Sequence, residues 1–274
     1  MKIPNLSRLL IASIAALSLV LAGCSGDSAS TGATELSDAQ VPTIAPGTLT
    51  VCVTDAEPFG YQTDEGDWTG FDLDLMEAMA ADMDGGLTLS VIERPLDKIW
   101  LAPADDSCDV VAAALTITPE RAESALFTDP YFTGSQSLMV LQSRAAELTG
   151  LDALSGSTIG SISASTGAAF AEANAPEGAT VVGYANHDLL YAALDDGKID
   201  AVVRDLPLNI GRFNSQPGKY ALVGEFDTGE RYGFAVAKSN TALADSLNQL
   251  LERVQANGVL RAIYDRYFGL ATTP

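Results

Sequence analysis

From Leu49 onward, short runs of β-branched and aliphatic residues alternate with longer stretches whose apolar positions recur every three to four residues. That alternation marks βαβ units and a mostly parallel sheet with helices on its faces. Strands are predicted at 49–53, 87–92, 109–115, 136–141, 158–162, 180–184, 199–203 and 234–237. Helices are predicted at 73–83, 96–101, 167–174, 187–195, 241–255 and 259–267. Asp72 is placed as the cap of the first helix, and Gly85 and Gly86 as its stop. Thr118, Pro119 and Glu120 supply a hydroxyl, a proline and an acid in the order that opens a helix, followed directly by Arg121. Pro130 keeps the segment 127–132 extended. No repeat with a period of about 20–50 residues recurs, which excludes a solenoid; the αβ design itself occurs twice.

The first residues read differently. Lys2 and Arg8 precede an apolar run over 9–22 that is too short to span a bilayer. The run ends in Leu21-Ala22-Gly23-Cys24, which resembles the lipobox of bacterial lipoprotein signal sequences. The resemblance implies a signal peptide at 1–23 and lipid on Cys24, which holds a domain on a membrane without a spanning helix. The alternative is an ordinary signal peptide with an incidental cysteine. Residues 24–46 are rich in Ser, Ala, Thr, Gly and Asp and form a flexible tether. With Cys24 assigned to lipid, Cys52 and Cys108 are an even remainder outside the cytoplasm, which points to a disulfide if their runs are neighbouring parallel strands. The alternative is two buried free thiols.

The chain carries 36 acidic against 15 basic residues, a net charge of −21. A field of that sign repels nucleic acid and anionic lipid, so nucleic-acid binding is excluded and the acidity serves solubility. One histidine, His187, and no further cysteine leave no basis for a zinc or redox-metal site, and no cofactor is expected.

Ordered along nearly the whole remaining chain are Gly70-Phe71-Asp72-Leu73-Asp74-Leu75, Leu115-Thr116-Ile117-Thr118-Pro119-Glu120-Arg121, Phe127-Thr128-Asp129-Pro130-Tyr131 and Ile263-Tyr264-Asp265-Arg266-Tyr267-Phe268-Gly269. The set resembles the polar amino-acid-binding proteins of ABC importers, the type II class of periplasmic binding proteins. The resemblance implies an α/β fold of two lobes, each with a central mostly parallel sheet flanked by helices, joined by two crossing hinge strands. It implies one lobe at 47–130 plus 233–274, another at 136–228, and crossings at 131–135 and 228–232. It further implies a monomeric, extracytoplasmic, lipid-anchored binder that captures a free amino acid and delivers it to ABC permease subunits.

A free amino acid presents a carboxylate and an ammonium on one carbon, so its pocket must supply a bidentate cation and a nearby anion. The resemblance assigns these roles to Arg121, in the helix-opening turn, and Asp205, beyond the strand at 199–203. Thr116 and Ala114 at the end of the third strand, and Ser165, Thr166 and Gly167 in the analogous turn of the second lobe, are expected to add donors and acceptors. The side-chain end of the pocket is assigned to Asp55, Glu57, Phe59 and Leu96. Here the chain departs from the family pattern: acids stand before Pro58-Phe59 and Leu96 occupies a frequent aromatic position. Asp55 and Glu57 either face a cationic side chain or are solvated loop acids. Two other readings stay open: a periplasmic dehydratase with Glu57 as its acid or base, and an amino-acid-sensing module.

Overall fold

The computed structural model describes residues 41–83 and 85–269. The expected signal peptide at 1–23, the expected lipid site at Cys24 and the expected tether as far as residue 40 lie outside the described residues. Residues 41–46 are docked rather than free: Ile44 N–H donates to Asp109 Oδ1 at 2.7 Å, and Asn240 Nδ2 donates to the Pro42 carbonyl at 3.2 Å.

The chain opens with β1 (Thr48–Val53), the hairpin strands β2 (Tyr61–Gln62) and β3 (Trp68–Thr69), helix α1 (Phe71–Ala81) and β4 (Thr88–Glu93). A 3₁₀ segment (Ile99–Asp105) leads to β5 (Val110–Val111), α2 (Pro119–Ser124) and β6 (Ala125–Phe127). A second series follows: β7 (Phe132–Leu141), β8 (Thr158–Ile162), α3 (Thr166–Asn174), β9 (Thr180–Tyr184), α4 (His187–Asp195), β10 (Ala201–Asp205), α5 (Leu206–Ser215) and β11 (Tyr220–Tyr232). The chain then returns through β12 (Ala235–Ala237), α6 (Thr241–Ala256) and α7 (Val259–Phe268).

Two five-stranded sheets result, ordered β4-β1-β5-β12-β6 and β11-β7-β10-β8-β9. The expectation of mostly parallel sheets needs correction, because both are mixed. In the first, β1 is parallel to β4 and β5, but β12 is antiparallel to β5 and β6. In the second, β8 is parallel to β9 and β10, while β7 is antiparallel to β10 and β11. The antiparallel pairings belong to strands that enter a sheet from the other lobe or by a direct return, with no crossover helix to reverse them. β1 lies between β4 and β5, and β8 between β9 and β10, so successive connections diverge and open a crevice at the carboxyl ends of these strands.

Each sheet is covered on both faces. In the first, Val51 and Val53 pack with Met76, Met79, Leu247 and Leu251 of the helices, while Cys52, Val111 and Leu115 face Ile99 and Trp100. Cys52 and Cys108 form a disulfide with their Cα atoms 5.7 Å apart, where β1 and β5 run side by side in parallel. In the second, Met139 and Val202 pack on Leu190 and Leu194 of α4, and the alternate residues Leu138, Val140 and Val203 pack with Ala171 of α3.

Asp72 does not cap α1; the helix starts earlier. Its first donors, Phe71 N–H and Asp72 N–H, go to the carbonyls of Pro58 and Phe59, each at 2.9 Å. The Asp72 carboxylate instead turns into the core, fully buried, and accepts from Ala114 N–H at 2.7 Å. Burial pushes its pKa up to about 7, although the Ala114 N–H and Tyr131 act in the opposite direction. A raised folded-state pKa contributes stability while the acid is protonated, and that contribution is lost as pH rises from about 4 to about 7. Asp72→Asn, which keeps an acceptor for Ala114, should therefore gain on the wild-type chain across that interval by up to about 4 kcal/mol and hold level above it. Urea unfolding of both proteins at unit pH steps checks this; a constant difference between them would show that Asp72 does not titrate there.

Candidate functional site

A cavity of about 300 Å³ lies between the two sheets, at the small end of the range of about 300–1,000 Å³ for small-molecule sites. Arg121 enters it from the first lobe. Thr118 caps α2, its hydroxyl accepting from Arg121 N–H at 3.2 Å, and this fixes the backbone from which the guanidinium departs. Nη1 donates to the Thr116 carbonyl at 2.8 Å, and Nη2 reaches across to the Ala164 carbonyl of the second lobe at 3.2 Å. Trp100 lies under the guanidinium, 5.0 Å from its carbon. Only 6% of Arg121 is exposed, and burial lowers its pKa against the opposing pull of Asp205, Glu230 and Glu120.

Asp205 ends β10 and is 6% exposed. Its Oδ1 accepts from Gln136 Nε2 at 3.0 Å, and its Oδ2 accepts from the Tyr232 hydroxyl. Burial raises its pKa first and the neighbouring Glu230 second, while the Tyr232 and Gln136 hydrogen bonds pull it down. Glu230 thus belongs to the site, although no role was read for it in the sequence beyond its place in a crossing. A break in register between Phe226 and Glu230 on β11 re-aims its side chain toward the cavity side of β7. Glu230 Oε2 accepts from Thr116 Oγ1 at 2.7 Å and from Thr166 Oγ1 at 2.9 Å, and Oε1 from Gln136 Nε2 at 2.8 Å. One carboxylate therefore ties the end of a first-lobe strand to a second-lobe helix start.

Of the residues expected at the site, Arg121, Asp205, Thr116, Ala114, Ser165, Thr166, Asp55 and Leu96 line this cavity. Three do not. Glu57 is exposed on the loop after β1. Phe59 is fully buried in an aromatic cluster, with ring centroids 5.7 Å from Phe71 and 5.1 Å from Phe132. Gly167 sits behind the wall, where an added Cβ would lie 2.9 Å from Gln136 Oε1. Ser165 uses its hydroxyl to cap α3, accepting from Ala168 N–H at 3.0 Å. Ala114 and Ala164 flank the Arg121 contacts with left-handed backbones, φ 45° and 61°. Such conformations in non-glycine residues are held by their surroundings, and they cluster at sites. Trp100, Gln136, Arg204 and Glu230 are the residues that sequence reasoning missed; for Glu230 the only local signal is the Thr228-Gly229 pair that allows the strand to break register.

The cavity is also lined by Asp55, Glu93, Asn186, His187 and Arg204. Asn186 caps α4, accepting from Leu189 N–H at 3.0 Å, and the adjacent His187 Nε2 stands 3.8 Å from Asp55 Oδ2 across the cleft. Burial raises the pKa of Asp55, with His187 opposing it.

The fold and this arrangement have counterparts among known proteins. A probable histidine-binding protein of Neisseria gonorrhoeae is 28% identical over 270 residues, covering 96% of each chain. The L-arginine-binding protein of Pseudomonas aeruginosa is 31% identical over 219 residues, 77% of this chain and 83% of its own. The structure of an ancestral arginine-binding protein bound to glutamine matches with a TM-score of 0.76 and 32% identity, over 82% of this chain and 99% of that one. These neighbours share the two-lobed architecture of type II periplasmic binding proteins. Residues 49–270 match the bacterial extracellular solute-binding proteins, family 3, and the chain belongs to that family of amino-acid-binding proteins of ABC transporters.

Proposed function

We propose that the chain captures a free L-amino acid in the cavity between its lobes and hands it to the permease of an ABC transporter, held at the membrane by lipid on Cys24. The observation that carries this reading is the meeting of a buried cation and a buried anion from opposite lobes, Arg121 and Asp205, at one cavity. The guanidinium fork suits the α-carboxylate, and Asp205 with Glu230 suits the α-ammonium. Thr116 and Thr166 line the same cavity and supply hydroxyls. A zwitterion gripped this way touches both lobes only when they are closed, so it favours the closed form by its differential contacts. The lobes at 47–130 with 233–274 and at 136–228 turn on the crossings at 131–135 and 228–232. The relatives are named as binding proteins, which supports binding over turnover. Glu57, the residue that the enzymatic reading needs at the substrate, is exposed and away from the cavity lining.

The electrostatics fix the sign of a pH effect. Burial and Glu230 raise the pKa of Asp205; an ammonium beside it restores the charged form, so binding releases protons and affinity falls as pH drops through the raised value. Isothermal titration calorimetry from pH 4 to 8, with a panel of free amino acids, should show this decline. Asp205→Asn should flatten it and weaken binding by about 2 kcal/mol or more. Affinity that ignores pH in the wild-type chain and survives the substitution would remove Asp205 from the ammonium role.

A further inference from the structure

Arg204 is a buried cation that forms no ion pair among the described residues. It is 7% exposed, lines the same cavity as Arg121, and its only side-chain hydrogen bond among the described residues runs from Nη1 to the Tyr191 hydroxyl at 3.2 Å. A closed circuit holds it there. The Tyr191 hydroxyl donates to Asn209 Oδ1 at 3.0 Å, Asn209 Nδ2 donates to Ser137 Oγ at 2.9 Å, and Ser137 Oγ donates to the Arg204 carbonyl at 2.9 Å. Tyr191, Asn209 and Ser137 are themselves buried. A guanidinium withdrawn from water needs acceptors, and this circuit fixes its position without neutralising it.

Arg204 stands between two of the cavity's carboxylates, Asp205 and Asp55, and acts on both. Arg121 responds to Asp205, Glu230 and Glu120, Asp55 responds to His187, Asp188 and Arg204, and Arg204 also pulls down the pKa of Asp205, its neighbour in sequence. Arg204, Asp55, Glu93 and His187 line the same cavity as Arg121 and Asp205, and they remain to meet a ligand's side chain when a carboxylate and an ammonium occupy that pair. This wall offers donors from Arg204 and acceptors from Asp55 and Glu93; Arg204 forms no salt bridge with either among the described residues, while Asp55 Oδ2 stands 3.8 Å from His187 Nε2.

We propose that Arg204 and Asp55 read the ligand's side chain and select a neutral carboxamide, as in glutamine or asparagine. This deepens the amino-acid-binding reading and rests on it. The amide oxygen accepts from Arg204 while the amide nitrogen donates to Asp55, so one planar group satisfies both. A guanidinium or ammonium side chain meets Arg204 as a like charge, and a carboxylate side chain meets Asp55 and Glu93 in the same way.

The test is calorimetry of the full chain against glutamine, asparagine, glutamate, arginine, lysine and histidine. A carboxamide amino acid should bind at least tenfold more tightly than arginine or glutamate. Arg204→Met should weaken that ligand at least tenfold and narrow its margin over arginine. Tyr191→Phe, which frees the guanidinium but keeps the ring, should weaken the carboxamide ligand while leaving the thermal midpoint of the empty protein within a few degrees, so the idea stays testable if Arg204→Met does not fold. Tightest binding of any other amino acid in the panel, or an unchanged carboxamide affinity in Arg204→Met or in Tyr191→Phe, overturns the assignment. Failure of every amino acid to bind overturns the proposed function beneath it, a result distinct from a wrong preference.

Discussion

Arg121→Ala should lose at least a hundredfold in amino-acid affinity. The guanidinium is 6% exposed, so truncation leaves a ligand carboxylate desolvated with no cation to meet it. Removing one partner of a buried charge pair costs about 3–5 kcal/mol, and each 1.4 kcal/mol is about tenfold in affinity. Two protein acceptors also lose their donor, the carbonyls of Thr116 and Ala164, which Arg121 bridges across the lobes at 2.8 and 3.2 Å. Arg121→Lys separates charge from geometry. An ammonium keeps the attraction but not the two-pronged fit, so this variant should fall between the wild-type chain and Arg121→Ala. Calorimetry on proteins with matched melting curves decides the matter, and unchanged affinity in the alanine variant would take Arg121 out of the site.

Gly70→Ala should be the most damaging single methyl group in the first lobe. Gly70 precedes α1 at φ 137°, where side-chain-bearing residues rarely go, and an added Cβ would lie 2.2 Å from the Phe59 carbonyl oxygen. That carbonyl is held in place because it accepts from Asp72 N–H, so it has no easy retreat. Backbone strain costs about 1–3 kcal/mol and the overlap adds to it, so a loss above about 3 kcal/mol is expected. Gly66→Ala provides the control, since Gly66 also has a positive φ of 90° but open space around it. Chemical unfolding of the pair isolates the collision; equal losses would mean that backbone conformation alone is responsible.

Elements carried by local signals were legible in the sequence. The strand at Thr158–Ile162, the helix at His187–Asp195 and the Thr118 cap stand where hydropathy and capping chemistry put them. Elements decided by distant partners were not. β11 runs over Tyr220–Tyr232 at the edge of its sheet, half-exposed and broken by Asp227-Thr228-Gly229, so its sequence reads as turn and crossing; its strand character comes from pairing with β7. α5 carries Pro207 and Gly211, which weaken any local helix signal. The site divides along the same line. Arg121 and Asp205 sit in motifs with a chemical logic of their own. Trp100, by contrast, depends on a 3₁₀ turn for its place under Arg121, and Arg204 depends on β10 extending to Asp205 rather than stopping at 203. Asp72 has the composition of a cap, but main-chain carbonyls had already satisfied the helix donors.

β12 occupies the interior of the first sheet, between β5 and β6, yet it is contributed by the chain only after the whole second lobe has been passed. The strands of the second sheet, from Phe132 to Tyr232, are contiguous in sequence. During synthesis or transit through a pore, the second lobe thus receives all of its strands first, while the first lobe waits with a gap at its centre. The latest residues to emerge close the earliest part of the molecule, so a chain interrupted shortly before β12 loses the lobe that carries Arg121 rather than a dispensable tail.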